Sequence, residues 1–129
     1  VRSLAIVDIE LPDGKSFSVA NTHLDLKPTN RIVQAEFINE LGDLYSRPLI
    51  LVGDLNAKPD AEAIKILENV FDRNTKNNSP TFPNTKPTEE IDYIMVTKNT
   101  KFTWLKYHVL PKANTESDHL PLYAEIKLK

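Results

Sequence analysis

Apolar-rich runs at residues 1–11 and 16–22 predict two strands, with Pro12-Asp13-Gly14 as the turn between them. Glycine reaches the positive φ of a tight hairpin at little steric cost. The second strand runs into Asn21-Thr22-His23-Leu24-Asp25, which puts His23 at or just beyond a strand end. From residue 30 to 45, Ile32, Val33, Phe37, Ile38, Leu41 and Leu44 recur at spacings of three and four, the period of one buried helical face, with Thr29 as the cap. Pro48 closes this helix and opens Pro48-Leu49-Ile50-Leu51-Val52-Gly53. Such a continuous apolar run predicts a strand buried on both faces, and it too ends in polar residues, Asp54-Leu55-Asn56.

A shorter helix is predicted over residues 60–69, capped by Asp60, with Ile64, Leu67 and Val70 inward. Residues 72–90 are rich in Asn, Thr, Pro and Lys without periodicity and read as a long surface loop, the kind that more often serves function than connection alone. Strands at 91–97, 101–110 and 120–127 finish the chain. The order describes one α/β (α+β) unit, a mixed and mostly antiparallel sheet with helices on one face. The apolar strand at 48–52 also needs a cover on its second face, and a missing half of the domain is the expected source. Val1 already lies in the body of a strand, so the chain reads as a piece of something longer.

Composition narrows the chemistry. The 129 residues carry a net charge of −2, so no overall field gathers nucleic acid or an anionic membrane, although a local basic rim is compatible with that total. With 40% hydrophobic and 26% charged residues, the chain resembles an ordinary soluble globular protein. No apolar run approaches the ~20 residues of a spanning helix, and the compartment stays open between cytoplasm and export. There is no cysteine, which excludes disulfides and thiolate chemistry and leaves oxygen and imidazole as the ligands for any metal.

Polar residues stand at four strand ends. Asp54 and Asn56, two apart, share a side if strand geometry persists, where a carboxylate and an amide together orient a water or bind a phosphate oxygen; the plain alternative is a Gly-Asp-Leu-Asn turn bonded to its own backbone. Asp118 and His119 are adjacent and reach one site only if the backbone turns there; otherwise they belong to a solvated loop. An isolated His23 also fits a satisfied buried imidazole, and Asp25 fits the start of a turn. Asp92 lies in an apolar strand between Ile91 and Ile94, and a carboxylate there needs a partner such as a histidine. The interleaved bases and aromatics of residues 101–107 fit a half-buried strand better than a stacking groove for single strands.

Taken in order, NTHLD, GDLN, IDYI and SDHLPL resemble the endonuclease/exonuclease/phosphatase superfamily, the deoxyribonuclease-like metal-dependent phosphoesterases. The resemblance implies half of a four-layer α/β sandwich, the C-terminal half, spanning residues 1–129. It implies hydrolysis of phosphodiester or phosphomonoester bonds by in-line attack of water, with magnesium, or manganese in its place, as cofactor. By the same resemblance, His23 contacts the scissile phosphate, Asp54 and Asn56 orient the water, Asp118 faces the metal, His119 is the catalytic histidine and Asp92 orients it. The family's principal metal-binding glutamate belongs to the other half and has no counterpart here, so the isolated chain is expected to bind magnesium weakly and to be inactive. A phosphate ester is the implied substrate, whether small molecule, lipid head group or nucleic acid, and the missing half the implied partner. The alternative is a catalytically incomplete phosphate-binding module.

Overall fold

The computed structural model describes residues 2–75, 78–110 and 116–129; Val1 of the first predicted strand and residues 76 and 77 of the predicted loop lie outside them. Strands β1 (Leu4–Glu10) and β2 (Ser16–His23) form the antiparallel hairpin, turning at Gly14 with φ +86°. Helix α1 (Pro28–Leu44) then crosses over to β3 (Leu49–Asp54), which pairs parallel with β2. Helix α2 (Glu62–Leu67), β4 (Phe71–Asp72) and β5 (Asp92–Thr97) follow, and the order β1-β2-β3-β5-β4 makes a five-stranded mixed sheet. Among the described residues, strands β6 (Phe102–Val109) and β7 (Leu122–Leu128) pair with each other alone, as a second, two-stranded antiparallel sheet.

One core lies between the five-stranded sheet and the helices. Ala20, Leu51 and Met95 stand in register across β2, β3 and β5 and share the core with Ala35 and Ile38 of α1 and Ile64 and Leu67 of α2. The α1 face differs from the predicted one: Ala35, Ile38 and Gly42 are buried, whereas Val33, Phe37 and Leu44 are exposed. The cause is close approach. A Cβ on Gly42 would lie 2.9 Å from Val70 Cγ1 and 3.0 Å from Phe71 Cζ, so small residues line the contact and a count of large apolar residues misplaces its centre.

Both predicted caps also move. Helix α1 begins at Pro28, whose fixed φ suits the first turn, and the N-cap position falls on Lys27, not Thr29. Asp25 Oδ1 accepts the Lys27 amide at 2.9 Å, so this acid starts the turn. In α2 the N-cap position is Ala61 instead of Asp60, and Ile64 and Leu67 point inward as expected.

The stretch 72–90 is only partly surface: Ser79, Thr81 and Glu90 are buried, and Phe82 bridges to Glu89. The Thr81 hydroxyl is paired with Asp92, and Glu90 Oε1 lies 3.7 Å from Arg73 Nη1. The second sheet face is covered in part from within the chain. Phe17 and Ile50 share an apolar crevice with Ile126 and Leu128, and the Ile94 amide donates to the Tyr107 hydroxyl at 3.4 Å.

Candidate active site

Pairing register builds the first half of the site. His23 is opposite Asp54 in the parallel β2–β3 pair, and Asp54 is opposite Asp92 in the antiparallel β3–β5 pair. Because β5 runs against its neighbour, its first residue lies beside the last residues of β2 and β3, and three remote positions form one row. Gly53 permits the close approach. Its φ is +141°, and a Cβ there would lie 1.9 Å from the Thr22 carbonyl oxygen.

Beyond Asp54 the strand ends. Asn56 adopts φ +49°, its amide N–H donates to Asp54 Oδ1 at 2.8 Å, and its side-chain Nδ2 donates to the Leu24 carbonyl at 2.8 Å. Asp54 and Asn56 are thus related by a local turn and not by strand alternation. The turn fixes the carboxylate: Oδ1 is occupied, and Oδ2 faces outward.

The second half arrives on the segment before β7, laced to the 81–84 stretch. Leu120 N donates to the Thr81 carbonyl and Asn84 N to the Asp118 carbonyl, each at 2.7 Å, and His119 N donates to Ser117 Oγ at 3.1 Å. These bonds turn the backbone so that His119 reaches inward. Its Nδ1 lies 2.7 Å from Asp92 Oδ2, which also accepts the hydroxyl of fully buried Thr81 at 2.5 Å. A carboxylate oxygen only accepts, so Nδ1 carries a proton, and in the neutral ring Nε2 keeps the lone pair.

That Nε2 lies 3.6 Å from Asp54 Oδ2, and His23 Nε2 lies 3.4 Å from the same oxygen. Desolvation pulls the His119 pKa down, but the hydrogen bond and charge of Asp92, with the charges of Asp54 and Asp118, outweigh it and raise the pKa above the usual imidazole value. The Asp118 carboxylate is 78% exposed, has Oδ1 4.0 Å from His119 Nε2, and accepts no hydrogen bond among the described residues. All six residues singled out in the sequence therefore stand at one end of the sheet.

The structure adds residues that the sequence did not suggest. Thr81 and Phe82, whose ring centroid lies 4.9 Å from that of His119, come from the stretch read as a surface loop. A groove of about 500 Å³ runs from Asn56, Asp118 and His119 past Phe82 and Ile91 to Arg31 and Lys58. Only Thr-Phe-Pro interrupting an otherwise polar stretch could have marked the first two.

Asp54, Asp92 and His119 each offer a ligand atom within 4.8 Å of the others. Asp92 Oδ2 is already committed to Thr81 and His119, whereas Asp118 is an unoccupied hard oxygen donor at the groove. This donor chemistry fits a divalent cation that retains most of its waters.

The family model for the endonuclease/exonuclease/phosphatase family matches residues 7–119. The chain belongs to this family. Its members are hydrolases, nucleases and phosphatases among them. The fold is similar to that of a family protein from Bacteroides thetaiotaomicron (TM-score 0.85, 22% identity, 99% of this chain and 55% of that one). It is also similar to the mannosyl-6-phosphatase Bt3783 of that organism (TM-score 0.80, 25% identity, 97% of this chain and 57% of that one). A functionally unknown conserved protein from Enterococcus faecalis is 29% identical (TM-score 0.76, 89% of this chain and 51% of that one). The chain thus spans a little over half the length of the structures it resembles. No curated protein matches the sequence.

Proposed function

We propose that this chain is the C-terminal half of a metal-dependent phosphoric ester hydrolase and carries most of its proton-handling and phosphate-contacting groups. The observation that carries the reading is His119 held between Asp92 at Nδ1 and Asp54 at Nε2, with His23 against the same Asp54 oxygen. Asp92 fixes the tautomer and raises the basicity of His119, so that Nε2 accepts a proton from water or a phosphate oxygen in the groove. Asp54, steadied by the Asn56 amide, accepts a hydrogen bond from the attacking water and aims its lone pair at phosphorus. Asn56 keeps its Oδ1 for the same water. His23, more than half exposed, contacts the phosphate on the opposite side and donates to the departing oxygen.

Magnesium, or manganese, would be held on this side by Asp118 and supplies neutralisation of the charge on the phosphoryl oxygens. With the family's principal metal-binding glutamate expected from the other half, the chain by itself binds magnesium weakly. The remaining ligands are expected from the other half of the domain.

The test is hydrolysis of a sugar monophosphate, chosen because of the mannosyl-6-phosphatase likeness, by the full-length protein in magnesium. His119→Ala should lower kcat about 10²–10⁴-fold, the usual worth of a positioned acid–base group, with the fold retained. Unchanged turnover of this and a diester substrate refutes the assignment. Full-length protein that binds phosphate but hydrolyses neither ester would favour the binding-module reading.

A further inference from the structure

We infer that the hydroxyl of Tyr93 is a positioning group for the active site, tying the Asp54–Asn56 turn to the head of β5 from the sheet face opposite Asp92. Asp92 and Tyr93 are neighbours in β5, so their side chains leave the strand on opposite faces. Asp92 goes to His119, whereas Tyr93 enters the core between sheet and helices, 1% exposed. There its hydroxyl donates to the Ala57 carbonyl at 2.7 Å and to the Glu90 carbonyl at 2.9 Å. Ala57 directly follows Asn56, and Glu90 stands just ahead of Ile91 and Asp92. A single phenol therefore joins the two segments that carry the facing carboxylates of the site.

The place of this tie gives it its consequence. Register pairing of β3 with β5 runs out at Asp54 and Asp92, and beyond that row the turn meets the head of β5 through the Leu55 amide, 2.8 Å from the Ile91 carbonyl, and through the Tyr93 hydroxyl. Both carbonyls that Tyr93 takes belong to buried residues, and Glu90 is itself fixed by Arg73, whose Nη1 lies 3.7 Å from Glu90 Oε1. A phenol has one proton for these two acceptors, and burial pushes the Tyr93 pKa up, so the proton stays in place at any working pH. Across the tie, Asp54 Oδ2 faces His119 Nε2 at 3.6 Å. The effect on turnover rests on the hydrolase reading: a turn that drifts by about 1 Å would misplace the water that Asp54 orients, a loss of up to about 100-fold. The tie itself does not depend on that reading. A phenol that only filled the core would contribute stability and nothing more.

Tyr93→Phe in the full-length protein removes the hydroxyl and keeps the ring. Tyr107→Phe is the comparison, because that phenol is also buried but accepts from the Ile94 amide within β5. With the folded fraction fixed by circular dichroism, Tyr93→Phe should lower kcat for a sugar monophosphate about 10–100-fold and leave KM nearly unchanged, the pattern of an interaction needed only in the transition state. Amide hydrogen exchange at Leu55 and Asn56 should quicken about 10-fold beyond any increase at Leu51 and Met95 in the strand interiors. Tyr107→Phe should lower the unfolding midpoint without changing kcat or producing that local excess. NMR of the unaltered protein needs no variant: the Tyr93 hydroxyl proton should be shielded from exchange with water and give cross-peaks to Ala57. Unchanged kcat in Tyr93→Phe, exchange that rises equally at Leu55 and Leu51, or a Tyr93 hydroxyl proton in fast exchange would overturn the positioning role. If the unaltered full-length protein hydrolyses no phosphate ester, the hydrolase reading fails, and the exchange at Leu55 and the hydroxyl proton still decide the tie.

Discussion

At the scale of single residues, two carboxylates use their oxygens differently. Asp54 spends Oδ1 on the Asn56 turn and presents Oδ2; Asp92 gathers the Thr81 hydroxyl and the His119 imidazole on one oxygen. Thr81→Val keeps the shape and the backbone bonds of residue 81 but removes a donor from a half-buried carboxylate, and should cost about 1–2 kcal/mol in chemical denaturation. The raised pKa of His119 sets the sign of a pH effect. A base whose native pKa lies above its unfolded value, about 6.5, stabilises the fold fully below that value and loses the increment as pH rises through the native pKa. NMR titration of metal-free protein should therefore place the His119 midpoint above that of an ordinary imidazole, and Asp92→Asn should lower it by removing a charge and weakening the hydrogen bond.

At the scale of elements, the site depends on how closely two parallel strands meet. Gly53 lets β3 lie against the Thr22 carbonyl of β2, in the register that sets His23 beside Asp54. Gly53→Ala adds a clash with backbone, which cannot swing aside as a side chain could, to a φ of +141° that side chains rarely adopt and that costs about 1–3 kcal/mol. Loss of at least that much stability is expected by thermal or chemical unfolding. The His23 and Asp54 ends should also separate, visible as a change in the ring chemical shifts of His23. Helix α1 illustrates the opposite arrangement: its Ala35–Gly42 stripe packs tightly, and the larger apolar residues Val33 and Phe37 remain outside.

At the scale of the whole molecule, two sheets divide the labour. The five-stranded sheet supplies His23, Asp54 and Asp92 at one end, and the segment that leads into β7 of the β6–β7 ribbon supplies Asp118 and His119. Residues 81–84 fasten the second group to the first. With the principal metal-binding glutamate expected from the other half, the chain alone should show weak magnesium binding by isothermal titration; tight, stoichiometric binding would contradict the proposed division of metal ligands between two halves.

The sequence by itself determined the strand hairpin, the helix-linked parallel strand, and the identity of the polar residues at strand ends, because period and turn chemistry are local properties. It also carried the family likeness in four short words. It misplaced the inward face of α1, since Ala35 and Gly42 are buried through close contact and not hydrophobicity. It did not reveal Thr81, a polar residue whose burial is intelligible only once Asp92 is beside it. Tertiary structure alone decided that β2, β3 and β5 end in one row and that the Ser117–Leu120 segment folds over them, because strand register and a turn anchored 34 or more residues away are fixed by hydrogen bonds between parts of the chain that no local pattern connects.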